Sequence, residues 1–307
     1  MRLELSAINE RLKSDPAGYV AACDELYQSR VEEAADVVTS RLNESKVVLL
    51  AGPSSSGKTT TAGRVRDALN RRGIFAHMVS LDDYYRPKRD PDFPTTRRGD
   101  PDLEAPEALD LDLLSEHLDL LDRGKEILVP HFDFRIQAQS PADFRPMRLK
   151  EHEVVIFEGI HGLNPILTAR KPEATRLFVS TASSIYDDDV EVFDRVWMRV
   201  LRRIVRDFNF RASSAEETLG MWKNVRRGEK VYISPYKKCS HYAIDTTHGY
   251  EVAAFRPIAE PMLLELEKRP QPKLVDMILE GLQSFLPIDP MSLPETSLLR
   301  QEFLPRQ

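Results

Sequence analysis

The chain alternates short apolar runs with longer stretches in which apolar positions recur every three or four residues. Residues 46–51 (KVVLLA) form a nearly unbroken apolar run, as expected of a strand buried on both faces of a parallel sheet. A loop rich in Gly and Ser follows. A helical pattern then runs from about Lys58 to Arg72 and closes at Gly73. Residues 75–81 (FAHMVSL) predict a second strand. A helix is predicted over 108–123, closed by Gly124, with further strands over 127–132, 154–157 and 176–181. Helices are predicted over 190–208, 214–226 and 256–268. Strands that alternate with helices imply βαβ units and a mostly parallel sheet, hence an α/β fold. No internal repeat is evident.

The two flanks read differently. Residues 1–45 are helical and polar, with Ile8, Leu12, Tyr19, Leu26 and Val31 in rough helical spacing and a break at Pro16 and Gly18. This segment is expected to be a helical extension packed on the main domain, with a dimerisation arm or a recognition element as alternatives. From Pro270 onward the chain carries Pro272, Pro287, Pro290, Pro294 and Pro305. Such a tail is expected to wrap the surface or to be partly disordered. The organisation predicted is an extension (1–45), a central domain (46–269) and a Pro-rich tail (270–307).

Composition narrows the function. The 307 residues are 41% hydrophobic and 30% charged, enough apolar material for a core. Basic residues number 43 and acidic ones 49, a net charge of −6, which argues against duplex nucleic acid as a partner. Cys23 and Cys239 form no CxxC or Cys/His zinc pattern. No apolar run approaches the roughly 20 residues that span a bilayer, and the N-terminus lacks the apolar core of a secretion signal. A cytoplasmic protein with no membrane partner is the expectation.

The strongest chemical signal follows the first strand. Gly52-Pro53-Ser54-Ser55-Ser56-Gly57-Lys58-Thr59 matches GxxxxGK[ST] at every fixed position, and Thr60 continues it. Gly52 and Gly57 let the backbone curl so that successive N–H groups point at phosphate oxygens. The helix that follows offers its positive end to the same anion. Lys58 would reach the β- and γ-phosphates, and the Thr59 hydroxyl would ligate Mg²⁺.

Two carboxylates stand at predicted strand ends, where ligands of open α/β sheets bind. Asp82, in Leu81-Asp82-Asp83-Tyr84-Tyr85, could take the proton of an attacking hydroxyl, with an Asp-rich turn as the plain alternative. Glu158 ends the run Val154-Val155-Ile156-Phe157 and could orient Mg²⁺ directly or through water, with an ordinary strand-end acid as the plain alternative. His161 follows closely and is assigned no role. Between Arg195 and Lys230 there are ten basic and four acidic residues, a local balance of +6 that leaves −12 on the rest of the chain. Arg195, Arg199, Arg202, Arg203 and Arg206 share one helical face opposite Trp197, Val200, Leu201, Ile204 and Phe208, and Arg211, Arg226 and Arg227 follow. Like charges four residues apart repel unless an anion compensates, so this stretch (about 195–230) reads as a lid facing a triphosphate, with a solvated helix face as the plain alternative for any one arginine.

With these residues in hand, the chain resembles the phosphoribulokinase/uridine kinase family of P-loop kinases, over roughly residues 45–268. The likeness lies in AGPSSSGKTT (51–60), SLDDYY (80–85), FEGIHGLNP (157–165), RRIVRDFNFR (202–211), SAEETLGMW (214–222) and VRRGE (225–229), and is nearest to bacterial uridine kinase-like proteins. The resemblance implies a P-loop NTPase fold of three layers, α/β/α, with a helical arginine-rich lid. It implies that Asp82 activates the acceptor hydroxyl, that Lys58 and Thr59 serve phosphate and Mg²⁺, and that Glu158 lies near the metal. Tyr85 belongs to the same acceptor-side motif. Glu104 falls on the acid that holds ribose hydroxyls, and Arg203, Arg206 and Arg211 on lid arginines that contact substrate or phosphates. The segment Phe132-Asp133-Phe134-Arg135-Ile136-Gln137 departs from the family. Phe132 stands where uridine kinases have a tyrosine, and Gln137 where they have a histidine. The activity implied is transfer of the γ-phosphoryl group of ATP or GTP to a hydroxyl, foremost the 5′-hydroxyl of a ribonucleoside. Another hydroxylated metabolite, or a nucleotide-binding regulator with little catalysis, are the alternatives. The resemblance leaves a homo-oligomer open.

Overall fold

The computed structural model of the protein describes residues 2–133 and 136–305. Phe134 and Arg135, within the segment that departs from the family, lie outside the described residues. The centre is a five-stranded sheet in the order Tyr242–Asp245, Thr175–Ser180, Val47–Ala51, Glu153–Gly159, Phe75–Ser80, parallel throughout. The apolar run at 47–51 is the middle strand, and every residue of it is buried. Alternate side chains feed two cores. Val48 and Leu50 join Val154, Ile156, Val65 and Leu69 on one face. Val47 and Leu49 join Val155, Phe157, Leu114 and Leu118 on the other. Helices on both faces complete the three layers.

Register fixes where chemistry can gather. Ala51 lies opposite Gly159 and Ser80 opposite Glu158, so three strands stop at the same level. Strand order reverses beside Val47–Ala51, which opens a crevice past its carboxyl end.

The N-terminal segment is built into this frame. Residues Arg2–Glu4 pair with Ser184–Asp187 in a small second sheet. Asp15 ends one helix (Leu5–Ser14), and its carboxylate accepts from the Gly18 amide to start the next (Pro16–Ser40), with Pro16 at the first helical position. Tyr27 of that helix is fully buried and shares a 2.8 Å hydrogen bond with Thr61.

Several elements differ from expectation. Val190–Phe193 is a strand, and the helix begins only at Arg195, where Asp194 caps it. Tyr242–Asp245, an edge strand flanked by a lysine-rich turn, carries too short an apolar run to be predicted. The tail neither merely wraps nor frays: Pro272–Gln283 and Leu298–Glu302 are helices. Val275, Ile278, Leu279 and Leu282 keep helical spacing, Pro272 and Pro290 open helical segments, and no described proline of the tail lies inside a helix. Leu298, Leu299, Phe303 and Leu304 enter the main core. Among the described residues no helix is long and apolar enough to cross a membrane.

Candidate active site

The loop 52–59 starts where the middle strand ends. Gly52 has to be glycine, because a Cβ there would lie 2.1 Å from the Val179 carbonyl oxygen. Gly57 adopts φ +86, the left-handed turn that leads into the helix Lys58–Arg71. The Thr61 hydroxyl donates to the Gly57 carbonyl (2.6 Å) and the Thr246 hydroxyl to the Ser56 carbonyl (2.7 Å). The carbonyls of the curl are thus satisfied from outside, while the amides that open the helix have no helical partner and remain for an anion. The Ser55 and Ser56 hydroxyls are buried without a hydrogen-bond partner among the described residues, which suits a ligand that supplies one. The curl is gripped from across the cleft: Arg199 Nε donates to the Ser54 carbonyl (2.9 Å) and Arg203 Nη1 to the Ser54 hydroxyl (2.7 Å).

Lys58 Nζ donates to the Pro53 carbonyl at 3.3 Å. Burial lowers its proton affinity, against the pull of Glu158, Asp82 and Glu302. Thr59 Oγ1 donates to Glu158 Oε1 (3.0 Å), and Ser80 Oγ approaches the same oxygen at 3.4 Å. Burial chiefly raises the Glu158 pKa, with Lys58 opposing. Among the described residues no three His, Cys, Asp or Glu side chains gather into a metal cluster. Mg²⁺ needs none, since it is commonly held by one or two protein oxygens together with phosphates and water, and Thr59 with Glu158 fits that pattern.

Asp82 opens the turn Leu81–Tyr84, its amide donating to Ser80 Oγ (3.3 Å). The surrounding protein raises its pKa, while Lys58, Arg211 and Arg206 pull it down. Asp82 is nonetheless exposed to solvent, so water moderates the upward pull.

The arginine helix (Arg195–Arg211) corrects the sequence picture in part. Its like charges are compensated from within as well as from the cleft. Arg202 is fully buried and pairs with Glu251 at 2.6 Å, and Arg199 pairs with Glu229 at 2.8 Å. These two are structural clamps. Phe208, expected on the apolar face, is exposed. Arg203, Arg206 and Arg211 share one buried carboxylate, Asp207, at 3.2, 2.8 and 3.6 Å. Three cations on one anion leave a positive excess directed at Lys58 and Asp82, since Arg206 couples to both and Arg211 to Asp82.

On the acceptor side, Glu104 lies within electrostatic reach of Arg203 and Lys58. Burial raises its pKa to about 7, Asp102 adds to the rise, and Arg203, Lys58 and Arg227 oppose it. The end of the helix Ala215–Gly228 abuts it: a Cβ on Gly228 would come within 2.3 Å of the Glu104 Cβ. Arg227 reaches Asp102 at 2.7 Å and ties this helix to the same loop. Tyr85 is buried, and its hydroxyl donates to the Leu103 carbonyl (2.9 Å). Phe132 is buried with its ring 5.9 Å from that of Tyr85, and its amide meets Asp83 at 3.2 Å. Gln137 takes φ +54 on the turn before the strand Ala138–Gln139. Thr60 faces a separate cleft of about 470 Å³ with Arg64, Thr296 and Gln301.

Sequence reasoning passed over two groups. His161 is buried, neither ring nitrogen has a hydrogen-bond partner among the described residues, and burial pushes its pKa down to about 4. Asp102 and Lys58 are its charged neighbours, so a neutral imidazole sits within electrostatic reach of both the phosphate loop and the Asp102 loop. Its place just past Glu158 was the available signal. Glu302, from the C-terminal helix, stands beside Gly57. An acid in a proline-rich tail gives no such hint.

A model of the phosphoribulokinase/uridine kinase family matches residues 47–253. The chain belongs to this family. The uridine kinase of Staphylococcus aureus (strain JH9) is 29% identical over 211 residues, which cover 67% of this chain and 90% of that protein. A solved structure from Silicibacter sp. TM1040, named as a candidate fructose transport system kinase, is 18% identical with a TM-score of 0.50 and covers 69% of this chain and 98% of that one. That likeness shows the fold of a P-loop kinase. A D-glycerate 3-kinase of Cryptococcus neoformans var. grubii is 17% identical with a TM-score of 0.46, covering 67% of this chain and 89% of that one. The protein is therefore a kinase, a phosphotransferase acting on a hydroxyl, and the family implies ATP as the nucleotide.

Proposed function

We propose that the protein moves the γ-phosphoryl group of ATP or GTP to the 5′-hydroxyl of a ribonucleoside. The observation that carries this reading is the grouping of Lys58, an open carboxylate (Asp82) and a half-buried acid (Glu104) around one crevice. The amides of 52–59 and Lys58 hold the phosphates. Asp82 accepts the proton as the acceptor oxygen bonds to the γ-phosphorus and the bridging oxygen leaves with the nucleoside diphosphate. Arg203, Arg206 and Arg211 offset the charge that spreads over the transferring group. Thr59 and Glu158 would hold Mg²⁺, which supplies charge neutralisation at the phosphate oxygens. Glu104 holds the ribose hydroxyls, and Tyr85 with Phe132 forms an apolar wall for the base.

A screen of nucleosides in an assay coupled to nucleoside diphosphate release tests the proposal. Turnover of at least one ribonucleoside is expected, and none on any of them rejects it. Phe132 favours a second reading, a sugar, polyol, sugar phosphate or vitamin precursor as acceptor. Its phenyl ring has no hydroxyl to read a base, and polar readout supplies most discrimination between such ligands. Restoring both family residues (Phe132→Tyr with Gln137→His) raises uridine turnover under the first reading and leaves it flat under the second.

Glu104 gives the acceptor site a pH signature. Two charge-assisted hydrogen bonds from the hydroxyls need the ionised carboxylate, and its pKa is about 7. The acceptor KM is expected to fall roughly tenfold between pH 6 and pH 8. Glu104→Gln should flatten that profile while leaving nucleotide affinity alone. An identical profile in the variant would show that another group titrates. Stability should move the other way. A carboxyl whose folded pKa is raised stabilises below its unfolded value, and that contribution is lost as pH rises through about 7.

A further inference from the structure

The bare face of Gly57 is where a glycine lets a phosphate approach the backbone most closely. That face is covered. A Cβ on Gly57 would meet the Leu298 methyl groups at 3.3 Å and Glu302 Oε2 at 3.6 Å. Oε2 is buried and has no hydrogen-bond partner among the described residues. Lys58 is its nearby cation, and the opening amides of the helix Lys58–Arg71 add positive potential there. The segment is fastened on both sides. Arg64 donates to the Thr296 carbonyl and, at 3.2 Å, to Gln301 Oε1. Asn209 of the arginine helix donates to the Phe303 carbonyl (2.9 Å), and the Arg202 guanidinium lies 5.3 Å from the Phe303 ring centroid.

We infer that the C-terminal segment 298–304 is an autoinhibitory strap whose Glu302 carboxylate competes with nucleotide phosphates for the loop at 52–59. This rests on the nucleotide reading of that loop. A carboxylate oxygen buried without a hydrogen-bond partner is costly, and it is held there by the apolar anchors Leu298, Leu299, Phe303 and Leu304. A polyphosphate entering the curl meets a like charge at contact distance, so nucleotide binds only as Glu302 withdraws. Release of the strap, by a partner or by nucleotide at high concentration, sets the affinity of the kinase.

The test is ADP binding to the full chain and to Glu302→Gln by calorimetry, with amide hydrogen exchange over 298–304. The neutral isostere should bind ADP five- to tenfold more tightly, and in the wild-type protein saturating ADP should lower protection of 298–304. Equal or weaker binding by Glu302→Gln overturns the strap, and so does a gain of protection on adding ADP. The exchange measurement decides the matter even if the variant folds poorly. If neither protein binds ADP or pyrophosphate, the nucleotide reading itself falls, and the strap with it.

Discussion

Replacing Asp82 by asparagine is expected to lower kcat by a factor of 100 or more while nucleotide affinity is kept or slightly improved. The substitution preserves shape and removes the ability to accept a proton, which is where general-base catalysis is worth about 100- to 10,000-fold. The neighbourhood supports that role. The turn Leu81–Tyr84 places the carboxylate just past the strand Phe75–Ser80, with Lys58, Arg206 and Arg211 as its cations. Burial raises its proton affinity, which suits a base, and those cations oppose that rise in favour of the ionised form. Removing its charge also relieves one repulsion against an incoming phosphate, hence the small gain in nucleotide binding. Steady-state kinetics and an independent nucleotide titration check both halves. A kcat within threefold of wild type would remove Asp82 from the chemistry. A wild-type protein that binds nucleotide without turning over any acceptor would favour a regulator instead.

Much of this was readable because it is local. The strand Val47–Ala51, the loop 52–59 and the helix Lys58–Arg71 are contiguous in sequence, and each states its geometry in a few residues. Asp82 and Glu158 were legible because both sit at ends of apolar runs, and parallel strands in register bring such ends together. What the sequence hid depends on distant partners. An arginine face looks alike whether its charges meet phosphates or buried carboxylates. Only the fold shows that Arg202 ends on Glu251 and Arg199 on Glu229, while Arg206, held by Asp207, stays within electrostatic reach of Asp82 and Lys58. The tail was misread for a related reason. Proline density signals irregular chain, but prolines at helix starts are compatible with a packed helix, and the burial of Phe303 is a tertiary fact. Strand pairing across 180 residues, as between Arg2–Glu4 and Ser184–Asp187, leaves no local mark.

Lys58→Ala should weaken nucleotide binding and reduce turnover together, by at least tenfold in Kd and about 100- to 1,000-fold in kcat, the range for losing one preorganised charge partner. The argument is electrostatic. Lys58 is the cation shared by Glu158, Asp82 and Glu302. Without it, these carboxylates lose the positive charge among them, and the entering phosphates lose the counter-charge nearest to the loop. Lys58→Arg is not expected to rescue function. The ammonium now fits against the Pro53 carbonyl at 3.3 Å, and a planar guanidinium needs a wider approach. Asp82→Asn and Lys58→Ala should therefore separate cleanly: the first keeps nucleotide and loses chemistry, the second loses both. Combining them should cost less than the sum of their separate effects, because a base without a positioned phosphate has nothing to act on. Strict additivity in kcat/KM would mean that the two residues do not serve one reaction centre, and wild-type turnover in Lys58→Ala would mean that the curl does not bind the transferred phosphate.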